Sequence, residues 1–236
     1  MTRYLGLPLT VRSHPRAKRV LVKLVPGRGL EVVVPKRFDT AQVPAILEDK
    51  RPWIERTRAQ LEARGADLSG RTPEPPGTIR FTACDREYAV AYADRPGRVT
   101  LSENASRLMV AGPAEDAEGR LEVLRRFTAR KAREFLLPRL ESQSARTGLS
   151  YAALRVRRQR TRWGSCSARG TISVNAKLLF LPVELADHLL LHELCHTRHL
   201  NHSPAYWALV ASFEPDWQRL EKELTRGYVH VPEWFL

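Results

Sequence analysis

The stretch from residue 181 to residue 207 reads LPVELADHLLLHELCHTRHLNHSPAYW. It predicts an α-helix, because Pro182 suits a first helical turn and Glu184 lies near the positive end of the helix dipole. Leucines at positions 185, 189, 190, 191 and 194 make most of the helix circumference apolar, which indicates a buried helix. Imidazole and carboxylate side chains on a buried helix require a chemical reason.

Two histidines of this helix, His192 and His196, are four residues apart, so their side chains lie one turn apart on the same face, with about 6 Å between their β-carbons. Two imidazoles at this spacing can bind one metal ion. Glu193 points about 100° around the helix axis from His192, which suits holding a water molecule rather than the metal. This is the HExxH pattern of the zincins, in which two histidines bind Zn²⁺ and the glutamate is the general base.

A catalytic zinc ion uses three protein ligands and keeps one position open. His202 is the predicted third ligand, because it follows the expected helix end near Leu200 and because its distance from His196 equals the histidine spacing of HExxHxxGxxH proteases. His199 is the alternative, since it stays on the His192 face if the helix continues. His188, one turn before His192, is interpreted as a packed histidine or one that supports a ligand.

These residue types predict a hydrolase with one Zn²⁺ per chain. Such an ion lowers the pKa of its bound water toward about 7, and the carboxylate of Glu193 takes the proton as the water attacks a carbonyl group. The predicted substrate is a peptide bond in a protein or peptide. Packing over the metal helix is the favoured role of Tyr206, and donation of a hydrogen bond to the oxyanion or substrate is its alternative role.

The composition is that of an ordinary globular chain, with 236 residues, 43% hydrophobic and 28% charged. The net charge of +13 indicates a basic surface that attracts acidic partners, DNA among them. Arg158, Arg160 and Arg162 share one face of a predicted basic strand that runs through Trp163. They are candidates for contact with acidic substrate or DNA, and the alternative is that they face solvent.

The three cysteines, Cys84, Cys166 and Cys195, are widely spaced and odd in number, which predicts no disulfide framework and favours a reducing compartment. The first residues contain no signal-peptide pattern, and no run of 18 apolar residues occurs in the sequence. We therefore expect a cytoplasmic protein that does not contact a membrane. Cys166 and Cys195 are interpreted as packed residues.

Segments with alternating apolar and polar residues predict strands, and segments with helical spacing of apolar residues predict helices, so the sequence predicts an α+β fold. Short strands are expected over residues 7–34, a helix from Asp39 to about residue 64, an antiparallel sheet over 78–111 and a long helix from about Ala117 to Thr147. The Gly- and Pro-rich segment 65–77 is a linker or long loop. We predict a β-rich N-terminal region over residues 1–115 with one helix, and a zincin-like catalytic domain over 116–236 with an active-site helix and a short antiparallel sheet.

At RWGSC (162–166), TISVN (171–175) and HELCHTRHLNHSPAYW (192–207), the sequence resembles the YgjP-like metallopeptidase family, which is related to SprT-like and WLM proteases. The resemblance is strong over about residues 150–213. It implies zinc ligands His192, His196 and His202, with Glu193 as catalytic base, in a compact zincin domain. Some relatives digest proteins crosslinked to DNA, which would suit the basic charge, although fold alone does not determine a substrate.

A nucleic-acid-binding protein with a structural zinc site is the alternative hypothesis. Structural sites are usually closed by four ligands and rich in cysteine, whereas this sequence offers three histidines and a nearby glutamate. The number of protein ligands therefore distinguishes the two hypotheses. A third hypothesis, a zincin scaffold that serves only for interaction, is disfavoured by the intact motif.

Overall fold

The computed structural model describes residues 3–25, 27–63, 67–70, 72–159 and 161–236. The chain forms two compact units, one of Met1–Glu74 with Leu236 and one of Pro75–Phe235. Helices and several small mixed sheets confirm the α+β class. The two units divide within the Gly- and Pro-rich segment that the sequence predicts as a linker, whereas the predicted domain boundary lies after residue 115.

The first unit contains a four-stranded sheet and two helices. Its strands are β1 (Arg3–Tyr4), β2 (Leu7–Ser13), β3 (Leu21–Val25) and β4 (Gly29–Val34), in the order β1-β2-β4-β3. Strands β2 and β4 are parallel, and the other neighbours are antiparallel. The apolar face packs on the helices, so that Leu30, Val32 and Ile54 are fully buried.

The predicted helix from Asp39 is divided. Asp39 caps a short 3-10 turn with its carboxylate, which accepts from the Ala41 backbone at 3.0 Å. Helices α1 (Val43–Asp49) and α2 (Arg51–Glu62) follow and meet at Lys50. The interruption has a physical reason, because Pro52 has no N–H to donate and is tolerated only in the first turn of a new helix. The predicted end near residue 64 lies outside the described residues.

The second unit begins with a sheet of the same strand order as the first. Its strands are β5 (Thr78–Phe81), β6 (Arg86–Asp94), β7 (Thr100–Asn104) and β8 (Arg107–Gly112), in the order β5-β6-β8-β7. The sheet is mixed rather than antiparallel, because β8 turns back after β7 and lies between β7 and β6, parallel to β6.

Helix α3 runs over Ala117–Thr147, as predicted. The carboxylate of Asp116 caps it by accepting from the Gly119 backbone at 2.9 Å, and Gly148 ends it in the left-handed conformation that glycine adopts at low cost. Leu121, Leu124, Leu136 and Leu140 are fully buried and line its inner face.

A three-stranded sheet precedes the histidine helix. It consists of β9 (Ala153–Arg157), β10 (Gly164–Cys166) and β11 (Thr171–Asn175), in the order β10-β11-β9. Strand β11 is antiparallel to β10 and parallel to β9, so the predicted antiparallel sheet is again mixed. The predicted basic strand ends at Arg157 instead of Trp163. The side-chain amide of Asn175 donates to the carbonyls of Gln159 and Arg162, which therefore bond to a side chain instead of a neighbouring strand.

Three helices complete the second unit, namely α4 (Val183–Cys195), α5 (Pro204–Phe213) and α6 (Trp217–Arg226). Helix α4 packs against α3, α5 and α6, and its residues 188–195 are buried. It ends about one turn before the predicted end, because the chain turns after His196 with backbone bonds to Leu194 and Cys195. Within the described residues, no helix combines the length and the apolar composition required to cross a bilayer.

Candidate metal centre

Three imidazole rings converge at the end of α4. His192 lies in the last turn of α4, His196 is the residue directly after its end, and His202 comes from the loop before α5. The Nε2 atom of His202 lies 3.2 Å from Nε2 of His192 and 3.1 Å from Nε2 of His196. A tetrahedral zinc ion with Zn–N distances near 2.1 Å separates its ligand nitrogens by about 3.4 Å, so this arrangement fits one such ion.

The protonation of His196 and His202 suits metal binding. Burial lowers the pKa of both His196 and His202, and the neighbouring imidazoles lower both values further. Neutral imidazole is the form that binds a metal. Nδ1 of His196 lies 2.8 Å from the His199 carbonyl, to which it donates when Nδ1 carries the proton, and Nε2 is then free to act as a ligand.

His199 therefore contributes its backbone to the site, through the contact with His196. The third ring of the described cluster, beside those of His192 and His196, belongs to His202 and not to His199. The early end of α4 is the cause, because His199 belongs to a turn and does not continue the helical face on which His192 lies.

Glu193 is buried beside this cluster. Its Oε2 atom has no hydrogen-bond partner among the described residues. Burial raises the pKa of its carboxyl group to about 8, and the negative charge of Glu221 adds to the effect. An unpartnered carboxylate in a buried site is costly unless a cation or a proton donor compensates it, so this atom also fits a metal centre.

The side chain of Glu193 extends toward the edge strand β10. A Cβ atom on Gly164 would lie 2.9 Å from the Cδ atom of Glu193 and closer still to Oε1. Glycine at this position therefore leaves room for the carboxylate. Sequence analysis did not identify Gly164 as a site residue, because only the packing of β10 over α4 brings the two together.

Sequence analysis also did not identify Glu214 and Glu221, which contact the fully buried His188. Nδ1 of His188 binds the Glu214 carboxylate, and Nε2 lies 3.0 Å from Oε2 of Glu221. Burial lowers the pKa of His188, but the two carboxylates outweigh it and raise the value to about 9. Burial raises the pKa of Glu221, but the hydrogen bond with His188 and the nearby rings of His188 and His192 hold that pKa well below its usual range. The two glutamates are seven residues apart in the sequence, and this spacing alone does not predict a shared contact. Their contact with His188 follows only from the packing of this part of the chain against α4.

Tyr206 lies under the histidines. Its hydroxyl donates to the His192 carbonyl at 3.1 Å, its ring stacks on His196 with 4.4 Å between centroids, and its side chain is fully buried. These contacts favour the packing role over the oxyanion role. Trp207 stacks on His202 at 5.4 Å and forms the next layer.

Of the three predicted arginines, Arg158 and Arg162 lie outside the strands. Arg158 follows β9 and forms a bidentate ion pair with Glu122 of α3, at 2.7 and 2.9 Å. Arg162 is exposed, and its carbonyl accepts from Asn175. Arg160 lies outside the described residues. The guanidinium of Arg158 is thus engaged within the unit.

The two cysteines near the site, Cys166 and Cys195, have raised pKa values, which favour the protonated thiol. Burial raises the pKa of Cys166 to about 11, with a further contribution from Glu193, and it raises the pKa of Cys195 to about 12. Cys195 is fully buried in α4, as expected for a core residue. A thiol is not a metal ligand or a nucleophile until it loses its proton, so these residues fit packing.

Comparison with known proteins gives a family and one similar structure. The family described as YgjP-like, metallopeptidase domain, matches residues 18–227, a range that contains the three histidines and Glu193. No curated protein shows a significant match. The crystal structure of the metallopeptidase zymogen of Pyrococcus abyssi abylysin is 24% identical over 38% of this chain and 91% of that chain, with a TM-score of 0.35.

Proposed function

The chain belongs to the YgjP-like metallopeptidase family, and we propose that it hydrolyses peptide bonds with one zinc ion held by His192, His196 and His202. Its substrates, as those of a metallopeptidase, are proteins or peptides. The observation that carries the proposal is the convergence of three imidazole nitrogens beside the buried, unpartnered carboxylate of Glu193.

Zinc is the proposed ion because neutral imidazole nitrogens in tetrahedral array suit it well. The described histidine cluster supplies three ligands, which leaves one of four positions for water and substrate. This number favours a catalytic centre over the structural zinc of a nucleic-acid-binding protein. The family match favours the same choice.

In the proposed mechanism, a zinc ion held by His192, His196 and His202 would act as a Lewis acid, which would lower the pKa of water toward about 7 and polarise a carbonyl group. Glu193 accepts a proton from the attacking water on its carboxylate and donates it to the leaving amine. Its buried position favours proton uptake, since burial disfavours the charged carboxylate. The hydrogen bond of His196 to the His199 carbonyl keeps one ligand ring oriented.

The backbone of β10 is the proposed substrate-binding edge. This strand is the outer member of its sheet, with β11 on one side only. An extended peptide can add to such an edge through backbone hydrogen bonds, which give affinity without strong sequence preference. Since Gly164 of β10 touches Glu193, a peptide on this edge would lie next to the proposed base.

Two further parts of the proposal concern partners and location. The net charge of +13 supports DNA contact through the basic surface, and the three free cysteines support a cytoplasmic location. Binding of the full chain to duplex DNA across a salt series tests the first, since phosphate contacts weaken steeply as salt rises. Localisation of a tagged chain in its own cell tests the second.

The direct test of the function compares the wild type with Glu193→Gln and, as a matched control, Glu184→Gln. Glu184 is an exposed glutamate on the same helix. Bound zinc and hydrolysis of an unfolded protein substrate are measured on each. We expect one zinc per chain in all three, full activity in Glu184→Gln, and a loss of about 100-fold or more in Glu193→Gln. Full activity in Glu193→Gln would remove Glu193 from the mechanism, and a wild type that binds no zinc after reconstitution would refute the proposal.

A further inference from the structure

A buried polar network joins α4 to the C-terminal part of the chain. At its centre is His188, which is fully buried and has a carboxylate on each ring nitrogen. Glu214 lies on the Nδ1 side, and Glu221 of α6 lies on the Nε2 side. His188 is the buried group, and the two glutamates are half-buried. A buried imidazole needs such partners, and its contact with Glu221 holds that side chain in a defined position.

The oxygen of Glu221 that contacts His188 also faces the metal centre. Its Oε2 atom lies 3.4 Å from Nδ1 of His192. That nitrogen is buried and has no hydrogen-bond partner among the described residues. The distance is slightly longer than an ordinary N–H···O hydrogen bond, so a small adjustment would complete the contact.

The chemistry of a histidine ligand explains why this contact matters. A ring that presents Nε2 to a metal carries its proton on Nδ1, and a buried N–H needs an acceptor. His196 has its acceptor in the His199 carbonyl. For His192 the nearby acceptor is the carboxylate of Glu221.

We propose that Glu221 is a positioning residue of the metal centre, whose carboxylate accepts the Nδ1 proton of His192 and fixes the ring and tautomer that bind zinc. This inference rests on the proposed function. His188 acts one step further away, because it anchors Glu221. A carboxylate behind a histidine ligand strengthens metal binding, and its loss typically costs about 10–100-fold in affinity or activity.

The same atoms allow a different interpretation, a second metal site formed by His188, His192 and Glu221. Its weakness lies in His188. Each of its ring nitrogens already faces a carboxylate, so an ion at His188 would have to replace one of these contacts. The stoichiometry of bound metal distinguishes the two interpretations.

The test measures zinc affinity by competition with a chelator for the wild type and Glu221→Gln. Two matched controls are Glu214→Gln, which loses a contact with His188 but none with His192, and Glu223→Gln, an exposed glutamate of α6 that pairs with Arg219. We expect a loss of about 10–100-fold for Glu221→Gln, a clearly smaller change for Glu214→Gln and none for Glu223→Gln. The absorption spectrum of the cobalt-substituted protein should change in Glu221→Gln alone, since it reports the ligand field.

Several outcomes would overturn the inference. Equal affinities in the wild type and Glu221→Gln would do so while leaving the proposed function intact, and so would equal losses in Glu221→Gln and Glu214→Gln, which would indicate a general packing effect. Two zinc ions per wild-type chain would replace the positioning role with a second site. A wild type that binds no zinc would overturn the proposed function as well.

A measurement on the wild type alone covers the case in which Glu221→Gln does not fold. In the zinc-loaded protein with ¹⁵N-labelled histidine, the Nδ1 proton of His192 should give a signal protected from exchange with water. A deprotonated or rapidly exchanging Nδ1 would contradict a hydrogen bond to Glu221 and overturn the proposal.

Discussion

The carboxylate of Glu193 occupies the space beside the α-carbon of Gly164. A Cβ atom on Gly164 would lie 2.9 Å from Cδ and 2.9 Å from Cγ of Glu193, closer than atoms of packed side chains approach. The absence of a side chain at Gly164 thus leaves room for the carboxylate of the proposed base against β10. This relationship makes Gly164 sensitive to the smallest substitution.

Gly164→Ala should lower kcat by about 100-fold, because displacement of a catalytic group by about 1 Å can cost that much. Zinc content should stay the same, since the three histidines are not displaced directly. Overpacking of this kind costs about 1–3 kcal/mol of stability, so the variant should still fold if the unit has an ordinary margin. Steady-state kinetics, zinc content and thermal unfolding check this.

Gly77→Ala is the matched control for that prediction. Gly77 has open space where a Cβ atom would lie, and its backbone φ is not in the left-handed region. We expect wild-type activity from it. Wild-type kcat in Gly164→Ala would show that Glu193 has room to move without consequence, and the steric argument would fail.

His202→Ala and His199→Ala should separate the two candidates for the third ligand. His202→Ala removes an Nε2 atom that lies 3.1 Å from Nε2 of His196 and 3.2 Å from Nε2 of His192. A residue that only supports a ligand costs about 10–100-fold in zinc affinity when it is lost, so the loss of the ligand His202 should cost more. His199→Ala should stay within a few-fold of wild type, because alanine retains the backbone carbonyl near His196. Chelator competition measures both, and the reverse order would make His199 the ligand.

Tyr206→Phe should affect stability more than catalysis. The variant loses the hydrogen bond from the hydroxyl to the His192 carbonyl, worth about 1 kcal/mol, and keeps the ring that stacks on His196. Its kcat should remain within a few-fold of wild type, since the hydroxyl is directed at the backbone. Denaturant unfolding and kinetics test this together. A 100-fold fall in kcat with unchanged zinc affinity would instead support Tyr206 as the oxyanion donor.

The stability of the metal-free protein should depend on the protonation of His188. Its pKa is about 9 in the folded state and 6.5 as the ordinary value. Because the folded value is raised, the stabilising contribution is complete below about pH 6.5 and is lost as pH rises through about 9. The difference in unfolding free energy between the wild type and His188→Gln should therefore be largest near pH 6 and smaller at pH 9.5. A difference that does not vary with pH would contradict a charged His188 between the two glutamates.

Much of this protein is predictable from local sequence. The bounds of α3 follow from the Asp116 cap and the glycine at 148, and both lie within one turn of the helix that they delimit. The spacing of His192 and His196 places two imidazoles on one helical face in any structure in which that segment is a helix. The metallopeptidase family was also recognisable from the residues around this helix, and the match over residues 18–227 confirms it.

Other features depend on contacts between distant residues. Strand β9 pairs in parallel with β11, and β6 pairs in parallel with β8. The sequence does not predict these directions, because apolar residues alternate in the same way in parallel and antiparallel strands of a sheet that buries one face. The end of α4 at Cys195 arises from the turn after His196, and the described cluster contains the ring of His202 and not that of His199.

The sequence by itself determined which helix carries the candidate metal ligands, because side-chain direction along a helix is a local property. The tertiary structure alone decided what surrounds them. Gly164 meets Glu193 through packing of β10 over α4, and Glu221 meets His188 and His192 through packing of α6 on α4. These partners are about 30 residues from the residues they contact, and across that distance only the burial of apolar faces selects which side chains come together.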